Sequence, residues 1–179
     1  DEIPNFESRD FKNSKNDIFI FKQLFFYYKF NLFYDLIPWY GTKACKKKKL
    51  ISLSWLRNLK NKKYPWWRFD TFFSDTKQTN LKIINDGGWH FTNLKTADEI
   101  FKKLSNFGHH DEFDSSGLTV NDIQNSINNR VVNYNHLADK TVENKYNAQY
   151  KLRLADDKIL PNYVVSNKNK YKEWFDFEK

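Results

Sequence analysis

The sequence predicts an α/β protein, and three observations support this class. Residues 18–33 are rich in Ile, Phe and Tyr, which favour pleated, half-buried strands, and residues 81–85 form a second short strand-like run that contains two Ile. Residues 96–107 and 119–127 place apolar side chains at helical spacing behind capping residues. Predicted strands and helices alternate loosely without a repeat or a linker, which fits an α/β sheet better than a sandwich. We therefore expect residues 1–179 to form a single domain.

The composition indicates a folded, basic and unusually aromatic protein. Of the 179 residues 40% are hydrophobic, which allows a sizeable core, and 18% are aromatic. Thirty Lys and Arg against 22 Asp and Glu give a net charge of +8. Only five Gly and four Pro exclude collagen-like and low-complexity classes. The single cysteine, Cys45, excludes an internal disulfide framework and a zinc site with several Cys ligands.

The strand predictions rest on runs of β-favouring residues bounded by turn residues. Residues 1–16 are polar and contain Pro4, so we expect a loop there. Residues 18–33 are predicted to form one long strand or two short ones. Further strands are predicted at residues 39–44, 66–73, 81–85 and 131–134.

Cap residues and apolar spacing predict four helices. Thr96 and Glu99 can exchange hydrogen bonds as a capping box ahead of an apolar helix face. Thr119 is predicted to begin the next helix. Two further helices are predicted at residues 52–59 and at about residues 167–175.

The sequence predicts neither a membrane span nor a glycosylated protein. The most apolar stretch, residues 18–40, contains Lys22, Lys29 and Asp35 and is too polar to span a bilayer. No Met occurs, so we expect that Asp1 is not a translation start and that an upstream segment is missing. One cysteine and the absence of an N-x-S/T sequon fit a cytoplasmic bacterial or viral protein better than a lumenal one.

Two short motifs contain residue types that suit phosphate and sugar binding. Asp1 and Glu2 precede the rigid Pro4, and such an acidic loop can hold Mg²⁺ or Mn²⁺ carrying a diphosphate. A solvated acidic pair is the alternative. Gly-Gly-Trp-His-Phe at residues 87–91 allows close backbone approach to a ligand and stacking of Trp on a sugar. Its alternative is a tight turn with a core Trp and a hydrogen-bonded His90.

Two charged segments could also carry function. Residues 109–114, His-His-Asp-Glu-Phe-Asp, place five ionisable groups in six positions after the capped helix. They form either a catalytic or metal-binding cluster or a solvated loop. Residues 46–49 are four consecutive Lys, followed by Lys60, Lys62 and Lys63. This run suits a diphosphate, an anionic membrane surface or nucleic acid, although most such runs are simply solvated.

In their order along the chain, these motifs resemble family 17 of the glycosyltransferases, the β-1,4-mannosyl-glycoprotein 4-β-N-acetylglucosaminyltransferase-like enzymes of protein N-linked glycosylation. The two most specific matches are Asp-Glu-Ile-Pro at residues 1–4 and Gly-Trp-His-Phe at residues 88–91. Looser matches are Trp-Tyr-Gly at residues 39–41, the His-acid cluster at residues 109–114 and Leu-Pro-Asn-Tyr at residues 160–163. The match extends nearly from end to end.

The resemblance implies a GT-A-like fold, a mixed sheet flanked by helices, of which this chain is the C-terminal portion without the N-terminal nucleotide-binding half. The family's acidic motif is Asp-x-Asp-Glu-Ile-Pro, and Asp1 matches its second Asp. The implied activity is inverting transfer of N-acetylglucosamine from UDP-N-acetylglucosamine to a glycan acceptor, with Mn²⁺ or Mg²⁺ as cofactor. The resemblance also implies poor binding of UDP by this chain alone. It adds a second compartment, the Golgi lumen behind a missing membrane anchor.

The resemblance and the residue chemistry together predict the site residues. The predicted metal ligands are Asp1 and His110. The predicted substrate-binding residues are Trp39, Gly87, Gly88, Trp89 and His90. Glu112 is the first choice for the general base, because its side chain is long and Phe113 beside it can supply an apolar wall. Asp111 is the second choice.

A protein of another class is the alternative interpretation. A basic, aromatic-rich nucleic-acid-binding protein, or a metal-dependent nuclease acting at residues 109–114, would fit a pI of about 9.3. Arginine is scarce, however, and no recognised binding motif occurs. We therefore expect the partners to be a nucleotide sugar and a glycan acceptor and not nucleic acid.

Overall fold

The computed structural model describes residues 1–7, 11–106, 108, 110–139, 141–142 and 144–177. The chain divides into two compact units. Unit 1 comprises Asp1–Phe25 and Leu36–His90, and unit 2 comprises Phe26–Asp35 and Phe91–Lys179. The protein is of the α/β class and contains mixed sheets, as the sequence predicts.

Short strands and short helices make up both units. The described strands are β1 (Glu2–Pro4), β2 (Ile18–Phe21), β3 (Leu24–Tyr27), β4 (Leu32–Phe33), β5 (Lys43–Cys45), β6 (Leu81–Ile84), β7 (Gly88–Thr92), β8 (Val131–Val132), β9 (Tyr150–Lys151) and β10 (Arg153–Leu154). The described α-helices are α1 (Leu53–Asn58), α2 (Ala97–Ser105), α3 (His110–Asp114), α4 (Val120–Asn128) and α5 (Asn162–Ser166). None of these helices has the length and apolarity needed to cross a bilayer.

Strand β2 is the centre of a mixed sheet in unit 1. It runs parallel to β6, with Ile18 opposite Leu81, and antiparallel to β5, with Ile18 opposite Cys45. All four residues of β2 are buried, as expected for a strand covered on both faces. The strands predicted within residues 18–33 and 81–85 are thus confirmed.

Helix α1 packs on this sheet through the face that its sequence predicts. The Ser52 hydroxyl accepts a hydrogen bond from the Trp55 amide at 3.0 Å and caps the helix. Trp55, Leu56 and the buried Leu59 then join the apolar side chains of β2 and β6 in one cluster. The apolar spacing of Trp55, Leu56 and Leu59 was therefore sufficient to locate this helix.

Two predictions for unit 1 are wrong. Residues 66–73, predicted as a strand, contain a 3-10 turn at Phe69–Thr71 and expose their aromatic side chains. Aromatic residues favour strands only where a pleated, half-buried surface is available to them. The loop predicted at residues 1–16 contains β1, which pairs antiparallel with β7.

Unit 2 has an aromatic core. Phe26 of β3 lies opposite Phe33 of β4, and Arg153 of β10 lies opposite Phe33 in turn. The Phe91 ring stacks on Phe26 with their centroids 5.2 Å apart. The Phe30 ring contacts Phe91 edge to face at 5.2 Å. These ring contacts show how part of the aromatic content of the chain is used to build this core.

Both capped helices of unit 2 form as predicted. The Thr96 amide donates to Glu99 Oε2 at 2.9 Å, and the Thr96 hydroxyl accepts from the Glu99 amide at 3.4 Å. Thr119 and Asp122 make the same reciprocal pair at the start of α4. Phe107, the last apolar position of the first predicted helix, lies outside the described residues.

The final helix is displaced from its predicted position. Helix α5 starts at Asn162, directly after Pro161, whereas the prediction placed it at about residues 167–175. A 3-10 turn at Lys172–Trp174 lies within the predicted range. Proline fixes a φ angle that suits the start of a helix, so Pro161 begins the helix at once.

Candidate functional site

The two most specific sequence motifs are neighbouring strands in unit 1. Strand β1 pairs with the first half of β7, with Glu2 opposite His90 and Pro4 opposite Gly88. Gly88 has a φ of +107°, and a Cβ at this position would overlap the carbonyl oxygen of Ile3. Glycine is therefore required here by both the backbone conformation and the close approach of β1.

The Glu2 carboxylate is held by Trp39 of the Trp-Tyr-Gly motif at residues 39–41 and by Thr42, which directly follows that motif. Trp39 Nε1 donates to Oε1 at 2.7 Å, and Thr42 Oγ1 donates to Oε2 at 2.5 Å. A Cβ on Gly41 would overlap the carboxylate. His90 Nδ1 lies 3.9 Å from Oε1. We call these five residues, Glu2, Trp39, Gly41, Thr42 and His90, the motif cluster.

Aromatic packing sets the orientation of Trp39, a predicted sugar-binding residue. Its ring stacks on the His90 imidazole with a centroid distance of 4.2 Å and an interplanar angle of 10°. The Phe25 ring packs against both, at 5.3 Å from Trp39 and 5.0 Å from His90. His90 is buried. One face of the indole is thus covered by protein, so a sugar ring could stack only on the other.

The remaining predicted substrate-binding residues of unit 1 make backbone hydrogen bonds. The Gly87 amide donates to the Lys22 carbonyl, and the Gly87 carbonyl accepts from the Asn5 amide, both at 3.0 Å. The Gln23 side chain donates to the Trp89 carbonyl at 3.3 Å. These bonds tie the Gly-Gly turn to its neighbours, so the tight-turn interpretation explains Gly87 without a ligand.

Asp1 is the predicted metal ligand of unit 1. It is exposed, whereas both carboxylate oxygens of the adjacent Glu2 accept hydrogen bonds from side chains. In the described part of the chain, no three His, Cys, Asp or Glu side chains lie close enough to hold a metal ion. Asp1 therefore supplies at most one ligand, and these residues do not form a complete Mg²⁺ or Mn²⁺ site.

Unit 2 encloses a cavity of about 660 Å³. This volume lies within the range of small-ligand pockets. Aromatic, aliphatic and polar side chains line it. They come from β3, β7, α2, α3, α4, β8 and the segment that follows β8. The aromatic and polar lining residues are Tyr27, Tyr28, Phe113, Tyr134, Tyr146, Glu112, Lys145, Lys103, His136, Thr92, Asn93, Asn133 and Ser126.

The predicted general base, Glu112, is one of these lining residues. Helix α3 carries it next to the buried Phe113, whose ring packs against Phe101 at 5.4 Å and Tyr146 at 5.5 Å. Lys145 Nζ donates to Glu112 Oε1 at 2.6 Å. This hydrogen bond raises the pKa of Lys145, so the ammonium stays charged beside the carboxylate.

The other described ionisable residues of the His-acid cluster do not line the cavity. The Asp111 side chain is 95% exposed. His110 Nδ1 lies 2.9 Å from Asp114 Oδ2, and the hydrogen bond to Asp114 raises the pKa of His110. Successive residues point about 100° apart on a helix, so α3 directs Glu112 inward and Asp111 toward solvent. His109 lies outside the described residues.

Sequence reasoning missed the residues on the other walls of the cavity. The Tyr27 hydroxyl and His136 Nε2 are 2.9 Å apart, and the Tyr34 and Tyr134 rings pack around the same imidazole. Burial raises the pKa of Tyr27 well above its usual value, so the phenol keeps its proton. His136 and Lys145 belong to an irregular segment without hydrophobic periodicity. Its tyrosines were the signal that could have drawn attention to it.

Comparison with known proteins assigns this chain to no family. No family model matches the sequence, and no curated protein and no solved structure gives a significant match. The function therefore has to be inferred from the residues and contacts described above.

Proposed function

We propose that the protein is an inverting glycosyltransferase that transfers N-acetylglucosamine from UDP-N-acetylglucosamine to a glycan acceptor. The observation that carries this proposal is the motif cluster. Residues 1–4, 39–41 and 88–91, which carry the resemblance to family 17, meet around one carboxylate although they are distant in sequence. The contact between these three segments supports treating them as parts of one arrangement, as the resemblance implies. The finer proposal for the fold, the C-terminal portion of a GT-A domain, follows from the same resemblance.

The cavity of unit 2 supports the proposal by its chemistry. Its tyrosine rings offer flat apolar faces to the C–H groups of a sugar, and Glu112, Lys145 and Asn133 offer hydrogen bonds to its hydroxyl groups. A lining that combines aromatic and aliphatic side chains with convergent polar groups is typical of a site that orients a small ligand. We place the acceptor sugar in this cavity.

Glu112 acts as the general base in this proposal. In a single displacement, the acceptor hydroxyl oxygen forms a bond to the anomeric carbon while the bond from that carbon to the UDP oxygen breaks. The hydroxyl proton passes to the Glu112 carboxylate. Lys145 holds this carboxylate in place through the ion pair. A divalent cation, when bound, would neutralise the leaving diphosphate. Since Asp1 offers only one ligand, we assign no step to the cation.

The setting of this activity is part of the proposal. The lone Cys45 and the lack of sequons support a cytoplasmic bacterial or viral enzyme. The partners in this proposal are the nucleotide sugar and a glycan. Only the resemblance to family 17 favours a mannose-containing acceptor.

The test is UDP release from UDP-N-acetylglucosamine in the presence of mannose-containing acceptors, with the intact protein. Glu112→Gln keeps the shape of the side chain and removes the base, so kcat should fall by about 10²-fold or more while donor affinity is retained. Asp111→Asn is the matched control on the same helix and should stay near wild type, because Asp111 is exposed.

Two outcomes contradict the proposal. If Glu112→Gln stays within a few-fold of wild type while Asp111→Asn is inactive, the base is Asp111. If the wild-type protein releases no UDP with any acceptor, the transferase function itself is wrong.

A further inference from the structure

An exposed aromatic segment of unit 1 has no part in the proposed reaction. Five of the eight residues at positions 66–73 are Trp or Phe, and their side chains are between 65% and 90% exposed. These five residues are Trp66, Trp67, Phe69, Phe72 and Phe73. We call residues 66–73 the aromatic loop. Large apolar side chains exposed together in this way mark an interaction site.

Polar contacts and a cation–π contact hold the aromatic loop to neighbouring residues. The Arg68 guanidinium donates to both oxygens of Asp70, at 2.8 and 2.6 Å, and Lys77 Nζ donates to Asp70 at 2.7 Å. The Arg68 guanidinium also lies over the buried Tyr64 ring, 5.4 Å from its centroid. The Tyr64 amide donates to the Gln78 carbonyl at 3.1 Å. Side-chain contacts therefore hold the loop in a conformation that exposes its aromatic side chains to solvent.

The positive charge of the protein is concentrated in the stretch of sequence that contains this loop. Residues 43–77 contain eleven Lys and Arg and two Asp, a net charge of +9, whereas the whole chain carries +8. The rest of the chain is thus close to neutral, at −1. The exposed lysines of this stretch are Lys47, Lys48, Lys49, Lys60, Lys62 and Lys63. A surface that combines exposed aromatic groups with clustered lysines is complementary to a negatively charged, partly apolar partner.

Exposed aliphatic residues that precede the loop in sequence favour a lipid partner over nucleic acid. Leu50, Ile51 and Leu53 are also exposed, and they lead into helix α1. The Trp55 indole of that helix donates to the Asp75 carbonyl at 2.8 Å, which ties it to the chain that follows the loop. Aliphatic side chains cannot stack on bases as aromatic rings do. Leu, Ile, Phe and Trp together with Lys are the composition of segments that enter the headgroup region of a bilayer.

The contacts of the single arginine in the loop also favour lipid over nucleic acid as the partner. Arg68 is the only arginine of the aromatic loop, and its guanidinium is already bound to Asp70. Bidentate recognition of phosphate by arginine is a common means of binding nucleic acid. Lysines act as point charges, which suits a diffuse anionic lipid surface.

We propose that residues 46–73 form a docking surface for an anionic membrane, in which the aromatic loop inserts at the headgroup boundary and the lysines face anionic headgroups. The docking leaves the proposed transferase chemistry untouched, and it can hold or fail independently of that chemistry. It would place the protein at a lipid surface by peripheral attachment.

The test is co-sedimentation of the full chain with vesicles of phosphatidylcholine, alone or with phosphatidylserine added. We expect binding to the anionic vesicles at least about tenfold tighter than to the neutral ones, with a blue shift of tryptophan emission. The double variant F72S/F73S should weaken binding at least about tenfold. K62E/K63E should remove the preference for phosphatidylserine. L137S changes an exposed apolar residue of unit 2 and should bind like wild type.

Several outcomes would overturn the proposal, provided that circular dichroism shows the variants to be folded. One is the absence of binding to anionic vesicles, and another is unchanged binding by F72S/F73S. Binding to a single-stranded oligonucleotide without binding to vesicles would show a nucleic-acid surface. A dimer in sedimentation equilibrium that F72S/F73S dissociates, without vesicle binding by wild type, would show that the loop pairs with a second copy of the chain.

Discussion

The motif cluster of unit 1 and the cavity of unit 2 use the same residue types in opposite ways. In the motif cluster, Glu2 accepts hydrogen bonds from Trp39 and Thr42, and glycine is needed where the chains approach most closely. In the cavity, Glu112 pairs with Lys145 at the edge of about 660 Å³ of open space. The first arrangement is closed by protein groups, whereas the second leaves room for a ligand.

The difference between the two regions separates a contribution to stability from a contribution to ligand binding. A closed cluster of polar and aromatic groups stabilises the fold, because buried polar atoms require partners. An open cavity with an ion pair on its wall contributes less to stability and more to binding. We therefore expect substitutions in the motif cluster to act mainly on unfolding, and substitutions in the cavity to act mainly on ligand binding and turnover.

Gly88→Ala should have the largest effect on stability. The substitution forces a Cβ against the Ile3 carbonyl at a φ of +107°, so we expect a loss of about 3 kcal/mol in the free energy of unfolding. For a chain of this size that corresponds to a fall of roughly 6–12 °C in Tm. Differential scanning calorimetry measures it.

Gly108→Ala is the matched control for this change. A Cβ at Gly108 meets no atom of the described residues within 4 Å, so its Tm should stay near wild type. If Gly88→Ala instead raised the donor KM and left Tm unchanged, the motif cluster would be a binding site and the comparison between the two regions would fail.

Trp39→Phe should have the next largest effect. It removes the indole N–H that donates to the Glu2 carboxylate, and a hydrogen bond to a charged group contributes about 2 kcal/mol. Urea unfolding should show this loss in the midpoint with the slope unchanged. Trp66→Phe is the control in the aromatic loop, where the side chain is exposed, and should change little. Equal midpoints for the two variants would mean that Glu2 and Trp39 do not stabilise the fold.

Local signals in the sequence predicted the helices better than the strands. The capping boxes at Thr96 and Thr119 lie within four residues of chain, so the sequence contains all the information they need. The aromatic run at residues 66–73 contains the same residue types as β2 and β3, but it has no partner strand among the described elements. Strand formation depends on a distant surface, and composition alone does not reveal it.

The candidate site was predictable only in part, for the same reason. Glu112 was accessible to reasoning because it lies in a dense acidic segment after a capped helix. Tyr27, His136 and Lys145 come from separate parts of the chain and meet only in the folded unit. The close approach of β1 to Gly88 was not predictable from the local sequence, because Pro4 and Gly88 are distant in the chain and become neighbours only in the sheet.

Tyr27→Phe tests how much the cavity walls contribute to stability. We expect a smaller effect than that of Trp39→Phe. The substitution of Tyr27 removes the hydroxyl that shares a hydrogen bond with His136, at a cost of about 1 kcal/mol. Tyr28→Phe removes a second phenolic hydroxyl from the same lining and serves as the control. Urea unfolding compares the two. A loss larger than that of Trp39→Phe would show that the cavity walls stabilise the fold more than the motif cluster does.

The contribution of His110 to stability is the smallest of these effects. Its titration tests whether the charged groups on the solvent face of helix α3 act independently of Glu112 on the cavity face. The hydrogen bond to Asp114, with a further contribution from Asp111, raises the pKa of His110 above its ordinary value of 6.5. A raised histidine pKa favours the folded state below about pH 6.5, and this contribution disappears as the pH rises through the higher folded pKa. NMR titration of the imidazole should show the raised pKa in the wild type and a return toward 6.5 in Asp114→Asn. Glu112→Gln should leave the pKa of His110 in place, because Glu112 faces the cavity and pairs with Lys145. A fall in the His110 pKa with Glu112→Gln would instead mean that α3 carries one electrostatic cluster, so that the separation between its solvent face and its cavity face would be lost.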